Sequence, residues 1–357
     1  MTRPVARLLV VVLGVLAALA VTGPAAAHVG GDAAGSDFDA RVLATTPEIP
    51  GLSVRVLQFG DELELVNETG TEVTVPGYDD DPYLRIGPDG VWRNANSPAT
   101  YINLDRYAQV DLPDHAERGA EPDWVQVSTE PHYVWHDHRT HWMSEDVLPP
   151  AVAADPDSSH TVFEWTVPMV HGDTPVEVTG LLTWSPPPSP WLVWPAHLAL
   201  LLLPLVAGLL ARTPRPLGVL LLVGAAAAVW HAAATPEPPA SISSHAGAVV
   251  SALLPALTAA LVACLGFRAS RRGRGAMTGL LAVVLGWLML VQGLPDVDVL
   301  WSANVLTDGP QVAARVAVAL LVALGAGSVG GGIAAVRRFR EAAPLDGPAP
   351  DRPVPVG

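Results

Sequence analysis

Five apolar stretches, at about 191–211, 217–234, 245–267, 275–294 and 311–336, fill most of the second half of this 357-residue chain. Each is near the roughly 20 residues that a helix needs to cross hydrocarbon, and in lipid only helices and closed barrels satisfy every backbone N–H and C=O. The sequence therefore predicts an α-helical membrane domain of five transmembrane helices over 191–336. Arginines mark alternate ends of the stretches: Arg212 and Arg215, then Arg268, Arg271, Arg272 and Arg274, then Arg337, Arg338 and Arg340. The opposite loops carry Glu237, Asp296, Asp298 and Asp308 and no arginine. By the positive-inside rule the first half of the chain is extracytoplasmic, and the C-terminus is cytoplasmic with a disordered Pro-rich tail at 337–357.

The N-terminus predicts the same orientation. Arg3 and Arg7 precede an apolar run from Leu8 to Val21, and Thr22-Gly-Pro-Ala-Ala-Ala27 ends in Ala25-x-Ala27. These are the parts of a secretory signal peptide over 1–27, whose removal makes His28 the mature N-terminus. Residues 28–190 hold 28 acidic side chains against 7 arginines, a net charge of −21 in a chain whose total is −15. Such a surface repels nucleic acid and can gather cations. The single cysteine, Cys264, falls in an apolar stretch, so the extracytoplasmic domain, 28–185, has no disulfide and depends on a packed core.

Apolar–polar alternation governs 41–75. Leu52-Ser-Val-Arg-Val-Leu57 and Glu62-Leu-Glu-Leu-Val66 read as strands, and Asn67-Glu-Thr-Gly70 reads as a hairpin turn into Thr71-Glu-Val-Thr-Val75. Further short strands are expected near 83–86, 124–128, 132–136, 161–167 and 176–184, between loops rich in Pro, Asp and Gly. This pattern predicts an all-β sandwich of immunoglobulin-like or cupredoxin-like shape. Trp92, Trp124, Trp135, Trp142, Trp165 and Trp184 are expected to supply its core, with Trp184, Trp191 and Trp194, on either side of a stiff Pro-rich linker at 186–190, expected as an interfacial belt.

Within that domain, residues 135 to 143 read Trp-His-Asp-His-Arg-Thr-His-Trp-Met, so His136, His138 and His141 fall within six residues, with His132 just upstream. Imidazole is the commonest protein ligand for several transition metals, and a His-x-His pair on a strand turns both rings to one face. Extended backbone puts His132, His136 and His138 on that face, and a bend near Arg139-Thr140 is needed to bring in His141; His160 or His171 is an alternative distant ligand. The spacing fits neither a zinc finger nor a His-Glu-x-x-His zinc site, and a blue-copper centre lacks its cysteine. The competing expectation is a β-edge decorated with histidines, with Asp137 and Arg139 forming an ion pair.

A terminal His28 offers its amine and ring nitrogen to one ion, an arrangement that favours copper over zinc. In the membrane half, His197, His231, His245 and Met289 are expected toward the outer leaflet, where ionisable residues usually serve function. Arg315 is expected to snorkel outward or to pair with Asp296, Asp298 or Asp308. The Ala-x-Ala-His boundary resembles the start of CopC-type periplasmic copper-binding β-sandwich proteins, and the whole plan is similar to a fusion of CopC-like and CopD-like copper proteins. The stretch Tyr83-Leu-Arg-Ile-Gly-Pro-Asp-Gly-Val91, with Ser97-Pro-Ala-Thr-Tyr101 and the histidine run, resembles envelope proteins of actinobacteria, a resemblance that implies no particular activity.

Two functions remain open at this level. One is a membrane-anchored extracytoplasmic metal-binding protein of the bacterial envelope, with copper before zinc and His136, His138, His141, His28 and His132 as ligands. The other is a metal-free β-sandwich that joins a partner protein in an envelope complex. An enzyme is disfavoured, since no nucleophile elbow, P-loop or dinucleotide fingerprint occurs; a metal hydrolase would have to draw its base from Glu130, Asp137 or Glu145. The absence of repeats and midplane charges also argues against an ion-coupled transporter.

Overall fold

The computed structural model describes residues 34–144, 146–240 and 244–341, so the expected signal peptide, His28, Glu145 and residues 342–357 lie outside the described residues. The first half is built from β1 (Gly35–Ser36), β2 (Phe38–Thr46), β3 (Leu52–Leu57), β4 (Glu62–Asn67), β5 (Val73–Pro76), β6 (Pro82–Gly87), β7 (Gly90–Asn94), α1 (Ala99–Ile102), β8 (Trp124–Ser128), β9 (His132–His136), α2 (Pro150–Ala154), β10 (His160–His171) and β11 (Thr174–Trp184). A seven-stranded antiparallel sheet runs β2-β11-β10-β5-β6-β7-β8, and a three-stranded one runs β3-β4-β9. Both contribute to one core: Leu63, Leu65 and Trp135 from the small sheet, and Val75, Leu84, Ile86, Val167, Met169, Val178 and Leu182 from the large one. Each fully buried side chain of this size stabilises by about 1.5–3 kcal/mol.

The strand pairing corrects one expectation. The segment 62–66 does not form a hairpin with 71–75; β4 pairs with β3 and β9, whereas β5 pairs with β6 and β10. Asn67 explains the change of sheet. Its Nδ2 donates to Thr71 O at 2.7 Å and to Ile86 O at 2.8 Å, and its Oδ1 accepts from Thr69, which fastens the turn onto the large sheet. The hairpin is instead β3–β4, closed by a turn at Gln58–Gly60 in which all three residues have positive φ.

The second half has α3 (Pro190–Leu210), α4 (Arg215–Ala233), α5 (His245–Arg271), α6 (Gly275–Gly293), α7 (Gln311–Ala319) and α8 (Gly325–Glu341), the last two joined by a π-helical turn at Leu320–Leu324. With α7 and α8 taken as one, five helices are long and apolar enough to cross a membrane, the build of a multi-pass membrane protein. Val250, Leu254, Leu257 and Leu261 form an exposed apolar row along α5, a face that suits lipid and not water. Helix contacts use small residues: a Cβ on Gly331 would lie 2.0 Å from Pro204 O, so α3 and α8 approach only because that atom is absent.

The β region is tied to the loops at one end of this bundle. β1 pairs with β12 (Asn304–Val305), Gly35 N donates to Asp298 Oδ2 at 2.9 Å, and Ala303 N donates to Asp37 Oδ1 at 2.8 Å. Glu64 is buried although it lies on the strand face opposite Leu63 and Leu65, because the 236–240 loop covers it. Arg55 pairs with Glu64 and donates to Pro238 O at 2.6 Å, and Ala240 N donates to Glu64 Oε1 at 2.6 Å. Arg315 reaches out of its helix in the same region, as the snorkelling alternative expects, and donates to the backbone carbonyls of Val299, Ser302 and Ala303 in the loop before α7.

Candidate metal centre

Strand β9 ends at His136, and the next four residues turn sharply. Asp137 Oδ1 accepts from Arg139 N at 3.1 Å, Thr140 N donates to Asp137 O at 3.2 Å, and the Thr140 hydroxyl reaches Asp137 O at 2.8 Å as well as Gly60 O. Asp and Thr side chains that bond their own neighbouring backbone produce turns of this kind. The turn wraps around a buried ion pair. Asp137 accepts from Arg139 Nη2 at 2.6 Å and from Trp135 Nε1 at 2.8 Å, and the Arg139 guanidinium lies over the Tyr78 ring at 5.3 Å. Burial pushes the Asp137 carboxyl up, but the bonds from Arg139 and Trp135 outweigh it and hold the group below the usual carboxylate range. Asp137 is therefore committed to structure and has no capacity left to act as a base.

This bend brings His136, His138 and His141 together, with ring centroids 4.8–5.4 Å apart and one potential ligand atom of each within 4.8 Å of the others. Bonds of about 2.0–2.1 Å to a tetrahedral ion require nitrogens roughly 3.3 Å apart, so the widest separation must close by about 1.5 Å when an ion binds. His132 stays about 13 Å up the strand by rise per residue, outside the group. β9 is an edge strand and the expected Asp137–Arg139 pair is present, while the three rings face one another.

Hydrogen bonds fix which nitrogen each ring presents. His141 Nδ1 faces Trp142 O at 3.1 Å, so this nitrogen carries the proton, and its buried Nε2 has no partner. His138 Nε2 faces Asp105 O at 2.9 Å, which leaves Nδ1 unprotonated. The His136 ring bonds the Arg106 backbone, and since its buried Nε2 has no partner, Nδ1 makes that bond. Metal-ligating histidines are generally oriented in this way, with the second ring nitrogen donating to a carbonyl or carboxylate. Burial, aided by the neighbouring histidines and Arg106 and opposed by the backbone bonds, pushes His136 down to about 4 and His141 down to about 3, and burial also lowers His138. All three are neutral at pH 7, the form that binds metal.

The other expected ligands are elsewhere. His160 bonds Asp155 O at 2.6 Å and His171 bonds Thr69 Oγ1 at 2.8 Å, at opposite ends of β10. In the bundle, His197 Nδ1 bonds Val193 O at 2.6 Å, His231 pairs with Asp296 at 3.0 Å, and His245 pairs with Asp308 at 2.9 Å. Met289 is fully buried against Gly224 and fills helix packing. His197, His231 and His245 join no group of three His, Cys, Asp or Glu ligands among the described residues.

Sequence reasoning missed the loop Asn103–Tyr107. Its backbone orients two of the three rings, and the Asp105 carboxyl, held low by N–H bonds from Gln109 and Tyr107, fixes its shape. Backbone acceptors have no residue signature; only Asp105, as a local turn former, carried a hint. Comparison with protein-family models, curated proteins and solved structures found no match to this chain.

Proposed function

We propose that this chain is a membrane-anchored metal-binding protein of the bacterial envelope, with His136, His138 and His141 as the ligands and copper as the preferred ion. The observation that carries this reading is the tautomer pattern: each ring gives one nitrogen to a backbone acceptor, which leaves the other nitrogen with its lone pair, in three rings 4.8–5.4 Å apart. An all-imidazole set without thiolate suits copper or zinc, and copper(II) heads the divalent affinity order. The two sheets closing on one core support a β-sandwich domain, and the arginine-rich helix ends, opposite the loops that hold this domain, support an extracytoplasmic placement.

The test is the metal content of the full chain purified in detergent after exposure to copper or zinc. The wild type is expected to retain about one ion per chain, and His136→Ala/His138→Ala to lose it. Equal retention by both proteins refutes the assignment. A metal-free wild type that reproducibly co-purifies with a partner protein favours the interaction-module reading instead.

A further inference from the structure

Beside the histidines opens a cleft of about 550 Å³, lined by His136, Asp61, Asn103, Asp105, Arg106 and Ser36 among others. Asp61 is unusual in it. The residue is only 6 % exposed, its Oδ2 pairs with Arg106, and its Oδ1 is buried without a partner. A buried carboxylate oxygen left in this condition is costly, and it lines the same cleft as His136. The Asp61 backbone is coupled to the same turn, since its carbonyl accepts from Asp137 N at 3.3 Å.

Arg106 sits between the two features. Its backbone orients the His136 ring, its side chain acts as a positive neighbour on both His136 and His141, and its guanidinium holds Asp61. Three neutral imidazoles bring no negative charge of their own, and of the carboxylates that act on them Asp137 is committed to Arg139 and Trp135 and Asp105 to the N–H groups of Tyr107 and Gln109, whereas Asp61 keeps one oxygen without a partner. We propose, resting on the metal-site reading above, that Asp61 is the fourth ligand and that Arg106 is a latch that holds it until metal arrives. The ion and the guanidinium compete for one carboxylate. Like-charge repulsion drives Arg106 outward, which its 41 % exposed side chain permits, and Asp61 turns to the metal. The mutually close ligand atoms are those of the three histidines and do not include Asp61, so Asp61 reaches the ion only by this turn. The arrangement gives a site that is neutralised in both states: by arginine when empty, by the ion when filled.

The test measures copper(II) affinity of the detergent-purified full chain against a chelator competitor. The proteins are wild type, Asp61→Asn, Arg106→Gln, the Asp61→Asn/Arg106→Gln pair and His136→Ala/His138→Ala, each first checked for folding by thermal melting without metal. Asp61→Asn is expected to weaken binding at least about tenfold. Arg106→Gln is expected to tighten it severalfold, and the Asp61/Arg106 pair to behave like Asp61→Asn alone. Unchanged affinity in Asp61→Asn overturns the ligand, and weakened affinity in Arg106→Gln overturns the latch. Should Asp61→Asn fail to fold, the sign of the Arg106→Gln effect decides. Wild-type affinity in the double-histidine variant refutes the histidine site itself, a result distinct from either of these.

Discussion

Replacement of Asp137 by Asn probes the turn on which the histidine cluster depends. The side chain is fully buried and accepts four hydrogen bonds, from Trp135 Nε1 at 2.8 Å, Arg139 N at 3.1 Å, Arg139 Nε at 2.8 Å and Arg139 Nη2 at 2.6 Å. Asparagine keeps the shape but removes the charge, leaves the Arg139 guanidinium without its counterion, and points an amide donor at other donors. Breaking one side of a buried pair costs about 3–5 kcal/mol. At roughly 2–4 °C per kcal/mol for a β region of this size, the metal-free protein should melt about 6–20 °C lower. Near-ultraviolet circular dichroism follows this melting through the tryptophans of the core. Asp137→Asn/Arg139→Met should recover part of the loss, because it removes both charges at once. A Tm for Asp137→Asn within about 2 °C of wild type would show that the ion pair does not hold the turn, and the reasoning would fail.

Three further outcomes follow from the geometry. In Gly60→Ala, a Cβ at φ +127° would lie 2.9 Å from both Ala40 Cβ and Thr140 O and 3.5 Å from His141 Cβ. The substitution should cost about 2–4 kcal/mol in denaturant unfolding and weaken metal retention through His141; a neutral effect contradicts this. Acid should destabilise the metal-free protein. His136 and His141 sit at about 4 and about 3 when folded, below the ordinary histidine value near 6.5 when unfolded, so the unfolded chain binds more protons in between. Their contribution is fully present above pH 6.5 and is lost as pH falls toward 4 and 3, so Tm should drop over that range, and less steeply in His136→Gln/His141→Gln. Gly331→Val should drive α3 from α8, since its first added atom already meets Pro204 O at 2.0 Å. Its signature is a lower helical melting temperature in detergent, and an unshifted melt would mean the helices do not need this close approach.

The membrane half was legible because hydrocarbon thickness sets a length that composition reveals directly; the helices begin and end within a few residues of the apolar stretches, apart from the polar extension of α8 to Glu341. The histidine run was legible as a set of residues, and even the bend that His141 needs was visible as a requirement. What closes the bend was not. Asp137 and Thr140 act through local backbone bonds, whereas Asp105, Arg106 and Asp61 come from positions about 30 to 80 residues upstream, and pairwise contact over that separation leaves no mark in one sequence. The turn at Asn67–Gly70 misled for a related reason. Its residues are those of a hairpin, yet Asn67 bonds Ile86 on the other sheet, so tertiary contact overrode the local signal. Arg315 took backbone carbonyls in place of the nearby aspartates, a choice set by the loop conformation.

X-ray absorption at the metal edge of the copper-loaded full chain reads the ligands themselves and separates a built site from loose ions on an acidic surface. The account predicts three imidazole nitrogens at about 2.0 Å in wild type, and loss of that imidazole signal in His136→Ala/His138→Ala. A shell of oxygen scatterers without imidazole, or a spectrum unchanged by the two substitutions, would contradict it.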